Sequence, residues 1–475
     1  MRVTVIGTGY VGLITGACFA YLGNEVTCVD SDGEKIRQLS SGNVPIYEPH
    51  LEEFLALAAH KGSLRFTTDI SEAASKSDVI FIAVGTPSLP SGAPDLQYLE
   101  SAARSIGRAL RPGQRTVIVN KSTVPVGSGN LVEMLLREGR EEGERENSTR
   151  ETPFLVVSNP EFLQEGNAIA NSLYPDRIVI GADHQDALTV MKELYGPVIE
   201  QSFAAPAFLP RPAGFAKVPL FTTSLTSAEM IKYAANSFLA MKISFANEVA
   251  SICERVGAEC RDVMKGIGLD ARIGPRFLNA GIGWGGSCFG KDLKALTQTA
   301  HEYGYRPLLL EAAQEVNQSQ RKVVIQKLQE KLFILKGRTV GLLGLAFKPG
   351  TDDLRDAPSL TIANRLVELG ARVKAYDPVA MPACRQQNPH LNIQYCDSAA
   401  AVARGADAVV LVTEWEEFRN LDLQQLSRQM ARPVLIDGRG ALDAAEARRA
   451  GFDYSCIGSN GVVSKTAETH SLVAV

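Results

Sequence analysis

Residues 1–30 read MRVTVIGTGYVGLITGACFAYLGNEVTCVD. Val3 to Ile6 make a short apolar strand, Gly7-Thr8-Gly9-Tyr10-Val11-Gly12 follows it, and a helix pattern runs on through Ala17 and Ala20. A second strand, Val26 to Val29, ends in Asp30. This order and spacing match the dinucleotide fingerprint, in which an acidic residue lies about twenty positions beyond the glycines. Gly7 suits the tight turn, Gly9 lets the backbone reach a pyrophosphate, and Gly12 allows close helix–strand packing. A helix N-terminus then faces the phosphates. Asp30 is expected to accept from a ribose 2′-hydroxyl and to repel a 2′-phosphate, which selects NAD over NADP. A glycine triplet alone is weak evidence; strand, turn, helix, strand and acid in this order are much stronger.

Further apolar runs read as parallel strands buried on both faces. Val79 to Val84 ends in Gly85-Thr86-Pro87, and Thr116 to Val119 ends in Asn120-Lys121-Ser122-Thr123. Phe154 to Val157 ends in Ser158-Asn159-Pro160-Glu161-Phe162-Leu163-Gln164-Glu165-Gly166, and Arg177 to Ile180 closes the set. An open α/β sheet places its ligands at the carboxyl ends of its strands. Thr86, Ser122, Thr123, Glu161 and Glu165 are therefore candidates around a nicotinamide, although each alone could cap a turn.

The chain has 475 residues, 45% hydrophobic and 21% charged, with net charge −4. That is the mix of a globular protein of two or three domains, and it argues against nucleic-acid or membrane-surface partners. No apolar run is long enough to span a bilayer. The eight cysteines show no paired spacing, so a reducing, cytoplasmic setting is expected and no metal site. The six histidines lie outside the motifs, which leaves Lys, Asp, Glu or water for acid–base work. Residues 137–151 are nearly all charged or small and read as a solvated loop or helix end.

Residues 281–292 read GIGWGGSCFGKD. Cys288 lies behind Gly285, Gly286 and Ser287 and ahead of a helical pattern that Gly304 would stop. A helix N-terminus and Lys291 both favour thiolate. Two readings stay open here: a nucleophile in a loop of backbone donors, or a small buried residue in a glycine turn. Asp292 could equally be an N-cap. Upstream, Gln201 to Phe221 reads as an irregular connector. Thr226-Ser-Ala-Glu229 reads as a capping box. A long helix follows to about Gly257, with Ile231, Phe238, Phe245, Val249 and Ile252 as its buried stripe. Lys232 and Asn236 share another face. So long and apolar a helix is expected to span two domains or a dimer interface.

A second alternation of strands and helices begins at Thr339, with strands at Arg372 to Tyr376, Ala408 to Val412 and Pro433 to Ile436. It predicts a second parallel sheet. Lys348, Arg355 and Arg439 at its strand ends suggest a phosphorylated ligand other than NAD, or surface and interdomain ion pairs. The fold class is α/β: two Rossmann-like parallel-sheet domains joined by a long central helix and a helical middle domain. The expected divisions are 1–205 for the NAD-binding domain, 206–335 for the helical middle with the cysteine loop, 336–458 for the second sheet domain, and 459–475 for a disordered tail.

Taken together the motifs resemble the nucleotide-sugar 6-dehydrogenases. They are GTGYVG at Gly7, PIYEP at Pro45, GTP at Gly85, KSTVPVG at Lys121, NPEFLQEG at Asn159, AEMIKYAANSFLAMKISFANE at Ala228, GGSCFGKD at Gly285 and FKPGTDDLRDAPS at Phe347. The GGSCF version is most similar to the UDP-glucose branch; other members act on GDP-mannose or UDP-N-acetylmannosamine. The resemblance implies oxidation of a primary alcohol to a carboxylate with two NAD⁺, and it casts Cys288 as nucleophile. It implies that Lys232 and Asn236 stabilise oxyanions, that Asp292 moves protons, and that Glu161 and Thr123 position water. It puts Tyr10, Val11, Lys35, Thr86, Ser122, Glu165, Lys291 and Arg355 at NAD. Phe162, Leu163, Phe277, Gly285, Phe289, Phe347, Lys348 and Arg439 fall to the UDP-sugar, with Arg272 reaching it across a homodimer or larger assembly. Gly290 stands where the family often has proline, and Trp284 where it often has phenylalanine.

Overall fold

The computed structural model describes residues 1–60, 63–89, 92–111, 113, 115–143 and 154–459. It divides into two compact units, residues 1–236 with 291–306, and residues 237–290 with 307–475.

The first unit carries an eight-stranded sheet in the order β3-β2-β1-β4-β5-β6-β7-β8. The strands are β1 Arg2–Ile6, β2 Glu25–Val29, β3 Leu64–Thr67, β4 Val79–Ile82, β5 Thr116–Asn120, β6 Phe154–Ser158, β7 Ile178–Ala182 and β8 Leu220–Thr223. The order reverses between β1 and β4, the switch point where doubly wound sheets bind ligands. Buried Val, Ile and Phe residues on the central strands pack against helices on both faces, as the continuous apolar runs require.

One expectation fails in the strand set. β7 pairs antiparallel with β6 and parallel with β8, so the sheet is mixed at this edge. The connection between β6 and β7 runs through NPEFLQEG and the short helix Ala168–Leu173. Residues 220–223, which begin at the end of the Gln201 to Phe221 stretch read as an irregular connector, supply the new edge strand.

The second unit carries a six-stranded parallel sheet in the order β11-β10-β9-β12-β13-β14. Its strands are β9 Thr339–Leu343, β10 Arg372–Tyr376, β11 Gln394–Tyr395, β12 Ala408–Leu411, β13 Val434–Asp437 and β14 Asp453–Cys456. The helix Leu308–Leu332 packs Val324, Leu328 and Leu332 into its core.

The long helix is Leu225–Val256, and Gly257 ends it with φ +79°, a conformation that glycine adopts without strain. Its burial is the reverse of the apolar stripe expected from sequence. Phe238, Phe245 and Ile252 are 59%, 51% and 53% exposed, whereas Glu229, Lys232, Asn236, Ser237, Ser244 and Asn247 are buried. The buried side mixes polar groups with small apolar ones: Ala246, Ala250 and Cys253 pack against Met264, Leu278 and Ile457, while Glu229, Lys232, Asn236, Ser244 and Asn247 meet hydrogen-bond partners. The capping box is also corrected. Ser224 Oγ takes the Ser227 N–H at the helix start. Glu229 instead accepts from the N–H groups of Gly127 and Gly129 and from Ser158 Oγ, at 2.6, 2.8 and 3.0 Å. It thereby serves the start of the helix Ser128–Gly143. That helix absorbs the first part of the charged stretch, pairing Arg137 with Glu133 and Arg108 with Glu142. The rest of that stretch, and the tail from 460, lie outside the described residues.

Replacing Glu229 by Ala strands three buried donors, each worth roughly 1 kcal/mol or more. The expected outcome is a fall of about 2–3 kcal/mol, or some 4–10 °C in Tm, measured by calorimetry; an unchanged Tm would refute this account of Glu229.

Candidate active site

The fingerprint turn is built as its glycines demand. Gly7 has φ +96°, and a Cβ there would lie 2.6 Å from Ala83 O. A Cβ on Gly12 would lie 1.9 Å from Gly7 O, so helix and turn touch. A Cβ on Gly9 would meet nothing within 4 Å. Protein packing explains Gly7 and Gly12, while the space over Gly9 is left for a ligand. The helix Tyr10–Tyr21 starts there without a side-chain cap, so its first N–H groups suit a pyrophosphate. Asp30 ends the second strand: its Oδ2 accepts from Thr8 N at 2.8 Å, from Thr8 Oγ1 at 2.6 Å and from Lys35 Nζ at 3.1 Å. Burial opposes its charge, but Thr8, Asp32 and Lys35 hold the carboxyl below its ordinary value. These features fit a dinucleotide with a free 2′-hydroxyl.

Strand-end loops surround this turn. Thr86 Oγ1 donates to Thr123 O at 2.7 Å, and Ser122 Oγ donates to Val84 O at 2.8 Å. Both hydroxyls thus brace the ends of β4 and β5. Glu48, in the PIYEP motif, is buried and accepts from the Tyr10 hydroxyl, from Gly166 N and from Ala168 N. It ties the fingerprint helix to the NPEFLQEG loop that carries Glu161 and Glu165.

In this same unit the long helix brings its polar face to that loop. Lys232 Nζ donates to Glu161 Oε1 at 2.7 Å, and Leu163 N donates to Glu161 Oε2 at 2.6 Å. Burial works against the Glu161 charge, yet Lys232, the Leu163 N–H and Lys121 hold its carboxyl below the usual range. Phe162 lies beside the pair, its ring stacked by Arg177 with Cζ 3.9 Å from the centroid. One turn along, Asn236 Nδ2 donates to Asp292 Oδ2 at 2.6 Å and Lys291 Nζ donates to Asp292 Oδ1 at 2.8 Å. Asp292 is 1% exposed and lies in the first turn of the helix Phe289–Glu302. The N-cap reading of Asp292 is therefore replaced: the helix begins three residues earlier and the carboxylate faces Asn236. Among the described residues, both amide atoms of Asn120 and the Tyr233 hydroxyl are buried without a protein partner, atoms that water or a bound ligand can satisfy.

In the second unit the cysteine loop is tightly held. Asn247 Oδ1 accepts from Gly281 N at 2.7 Å, and Asn317 Oδ1 accepts from Trp284 N at 2.7 Å. Trp284 Nε1 donates to Ser244 Oγ at 3.1 Å, which gives the indole at this position its own anchor. Gly286 N donates to Arg355 O at 2.9 Å. Cβ atoms on Gly285 and Gly286 would fall 2.4 Å from Asp356 O and 2.7 Å from Phe347; both glycines are needed for packing. Cys288 is half-buried directly before the helix Phe289–Glu302, with Ser287 Oγ 3.5 Å from its Sγ. Phe289 meets Phe277 and Trp284 edge-on, and Phe277 holds φ +63°, a strained conformation for a bulky residue.

Arg439 donates to Val412 O, Gly283 O and Phe347 O at 2.8, 3.2 and 3.1 Å. It links the β12 and β13 ends to the cysteine loop. Lys348 Nζ lies 5.6 Å from the Phe347 ring centroid. Arg355 is paired with Asp353, and Arg272 with Asp270, its side chain 89% exposed. A cavity beside Arg439 is lined by Arg261, Lys265, Leu278, Asn279 and Tyr454. Sequence reading missed Lys121, Asn159 and Glu48 as site residues; each stood inside a quoted motif, but only side-chain direction shows that it faces the site. Among the described residues no group of three or more metal-ligating side chains is present, and no helix is long and apolar enough to cross a membrane.

Residues 1–199 match the NAD binding domain of the UDP-glucose/GDP-mannose dehydrogenase family, 226–319 its central domain, and 341–444 its UDP binding domain. The chain is 45% identical over 461 residues to UDP-glucose 6-dehydrogenase TuaD of Bacillus subtilis, covering 97% of this chain and 94% of that protein. It is 43% identical to UDP-glucose 6-dehydrogenase of Pseudomonas aeruginosa, with 96% and 97% covered. A UDP-glucose dehydrogenase structure from Pyrobaculum islandicum superposes with TM-score 0.85 at 37% identity, covering 96% of this chain and 97% of that one. A fingerprint turn open over Gly9, a second doubly wound sheet and a braced cysteine loop thus occur in a chain that belongs to the UDP-glucose/GDP-mannose dehydrogenase family.

Proposed function

We propose that this chain oxidises UDP-glucose to UDP-glucuronate, consuming two NAD⁺ and one water. The observation that carries the reading is the buried polar face of the long helix, where Lys232 holds Glu161 and Asn236 holds Asp292. Burying an ammonium and two carboxylates is costly, and packing alone gives no reason for it. NAD⁺, when bound, supplies the acceptance of a hydride at each of two oxidation levels. Gly7, Gly9, Gly12, Tyr10 and Val11 hold its phosphates, and Asp30 with Lys35 holds its ribose. Thr86, Ser122, Thr123, Glu165, Lys291 and Arg355 complete that contact set.

The chain's own groups do the rest. Asp292, directly or through water, takes the hydroxyl proton as the alcohol becomes an aldehyde. Cys288 Sγ adds to the aldehyde carbon as a thiolate, giving a thiohemiacetal. Lys232 and Asn236 donate to the oxygen on which charge develops. A second oxidation leaves a thioester on Cys288. Water positioned by Glu161 and Thr123 adds to the thioester carbonyl, the C–S bond breaks, and carboxylate and thiol are regenerated. Phe162, Leu163, Phe277, Gly285, Phe289, Phe347, Lys348 and Arg439 hold the UDP-sugar, with Arg272 supplied by a second copy of the chain. The exposed Phe238, Phe245 and Ile252, spaced by seven along the helix, supply an apolar surface for that homodimer or larger assembly.

Purified protein should form two NADH per UDP-glucose and much less from GDP-mannose or UDP-N-acetylmannosamine. Cys288→Ser should lower steady-state turnover by roughly three orders of magnitude or more, because an unassisted hydroxyl is a poor nucleophile, and intact-protein mass spectrometry should reveal retained acyl enzyme or released aldehyde. Near-normal turnover in the serine variant, or one NADH per sugar in the wild type, would remove the covalent route.

Cofactor choice tests Asp30 separately. A 2′-phosphate against this carboxylate costs on the order of 3 kcal/mol, about a hundredfold in kcat/KM. Steady-state kinetics should show that preference for NAD⁺ and its narrowing in Asp30→Ala; equal use of both cofactors by the wild type refutes the assignment.

Phe245→Glu should shift the sedimentation of micromolar protein from dimer or larger toward monomer, since a charge in an apolar interface is left unpaired. A wild-type chain that sediments as monomer with full activity rules out both the interface and the trans role of Arg272.

A further inference from the structure

Lys121 follows directly on β5 and is buried. Its Nζ donates to Asn159 Oδ1 at 3.1 Å and to the Tyr195 hydroxyl oxygen at 3.4 Å. Tyr195 donates to the same Asn159 oxygen at 2.6 Å, and Asn159 Nδ2 donates to Val179 O at 2.8 Å. The ionisable groups facing the ammonium are Glu161 on its loop, Lys232 on the long helix and Cys18 on the fingerprint helix, with Tyr195 on the helix Gln185–Ile199. A cavity lined by Lys121, Asn159, Glu161, Gln164, Arg177 and Tyr195 adjoins the group. Two ammonium groups therefore share one buried carboxylate, yet only Lys232 bonds it directly. A methionine would fill the Lys121 position without the desolvation cost, so packing does not account for the second cation.

We propose that Lys121 is a positioning residue for this oxidation: acting across Glu161, its charge keeps that carboxylate ionised and lowers the proton affinity of Lys232. The inference rests on the reaction proposed above and on the geometry of the Lys121–Glu161–Lys232 cluster. Like charges in low dielectric disfavour one another, and the effect is reciprocal. Burial pushes the Lys121 ammonium down to about 8, against the pull of Glu161 and with the push of Lys232. Its charge is thus present below that pH and lost above it. Below, Lys232 faces a second cation and releases its proton more readily; above, that repulsion is gone and Lys232 holds its proton more tightly.

The test compares wild type with Lys121→Met and with Tyr195→Phe, which removes one acceptor from the ammonium and weakens its charged form. Two readouts are followed from about pH 6 to 10: kcat and KM with UDP-glucose, and the Lys232 ε-carbon resonance in protein labelled at that carbon. In Lys121→Met the Lys232 titration and the kcat limb that follows it should move up by about one pH unit, with KM changed by less than about twofold. Tyr195→Phe should move both in the same direction by less. If the methionine variant does not fold, the phenylalanine variant decides by the same criterion. A wild type that makes NADH from UDP-glucose, with Lys232 and kcat profiles unmoved in the folded variant, overturns the proposal. A Lys232 shift in a protein that leaves UDP-glucose unoxidised faults the reaction and upholds the coupling.

Discussion

The constraint on which most of this molecule depends is the inward-facing polar side of the helix Leu225–Val256. A helix usually buries its apolar stripe and leaves polar groups in water; here Phe238 and Phe245 are outside while Lys232 and Asn247 are inside. The inversion holds because Glu229, Lys232, Asn236, Ser244 and Asn247, buried along it, have bonding roles. In the first unit Glu229 takes the N–H groups at the start of another helix, Lys232 holds Glu161, and Asn236 holds Asp292. In the second unit Ser244 donates to Ala313 O and Asn247 takes the Gly281 N–H. Unpaired, any of these groups would cost about 1–3 kcal/mol, and more where charged.

Preorganisation is the common theme of both units. The cysteine loop does not depend on its own turns for shape. Asn317 grips both the N–H and the carbonyl of Trp284, Arg321 donates to that same carbonyl, and Arg439 holds the carbonyl of Gly283. A side chain on such a loop is presented in one place, the condition under which charge can develop without reorganisation. Glu48 plays the equivalent part around the fingerprint, where a single buried carboxylate joins three separate motifs.

Much of this is legible in the amino-acid sequence. The strand–glycine–helix–strand–Asp30 order places the dinucleotide turn correctly, because its reasons are local: Gly7 needs a positive φ, and Gly12 needs contact with the turn it follows. The second sheet is legible from apolar runs that recur between helical patterns. The antiparallel β7 and the edge strand β8 are not, since strand direction depends on how a connection packs rather than on the strand's own residues. The capping box misleads for a related reason. Thr226 to Glu229 has the right local pattern, but three donors from elsewhere in the unit compete for the carboxylate and win.

By itself, then, the sequence determined the fold class and the cofactor turn, because these follow from backbone sterics and periodicity, and it supplied the residues proposed for the chemistry from the reactivity of individual side chains. Tertiary structure alone decided which face of the long helix is buried, that Asp292 faces Asn236 instead of capping its helix, and that Lys121 joins Glu161 and Lys232. Those outcomes turn on partners remote in the chain. A periodic pattern states which residues share a face; it does not state whether that face will meet water, hydrocarbon or a row of hydrogen-bonding groups, and here those donors and acceptors settle the matter.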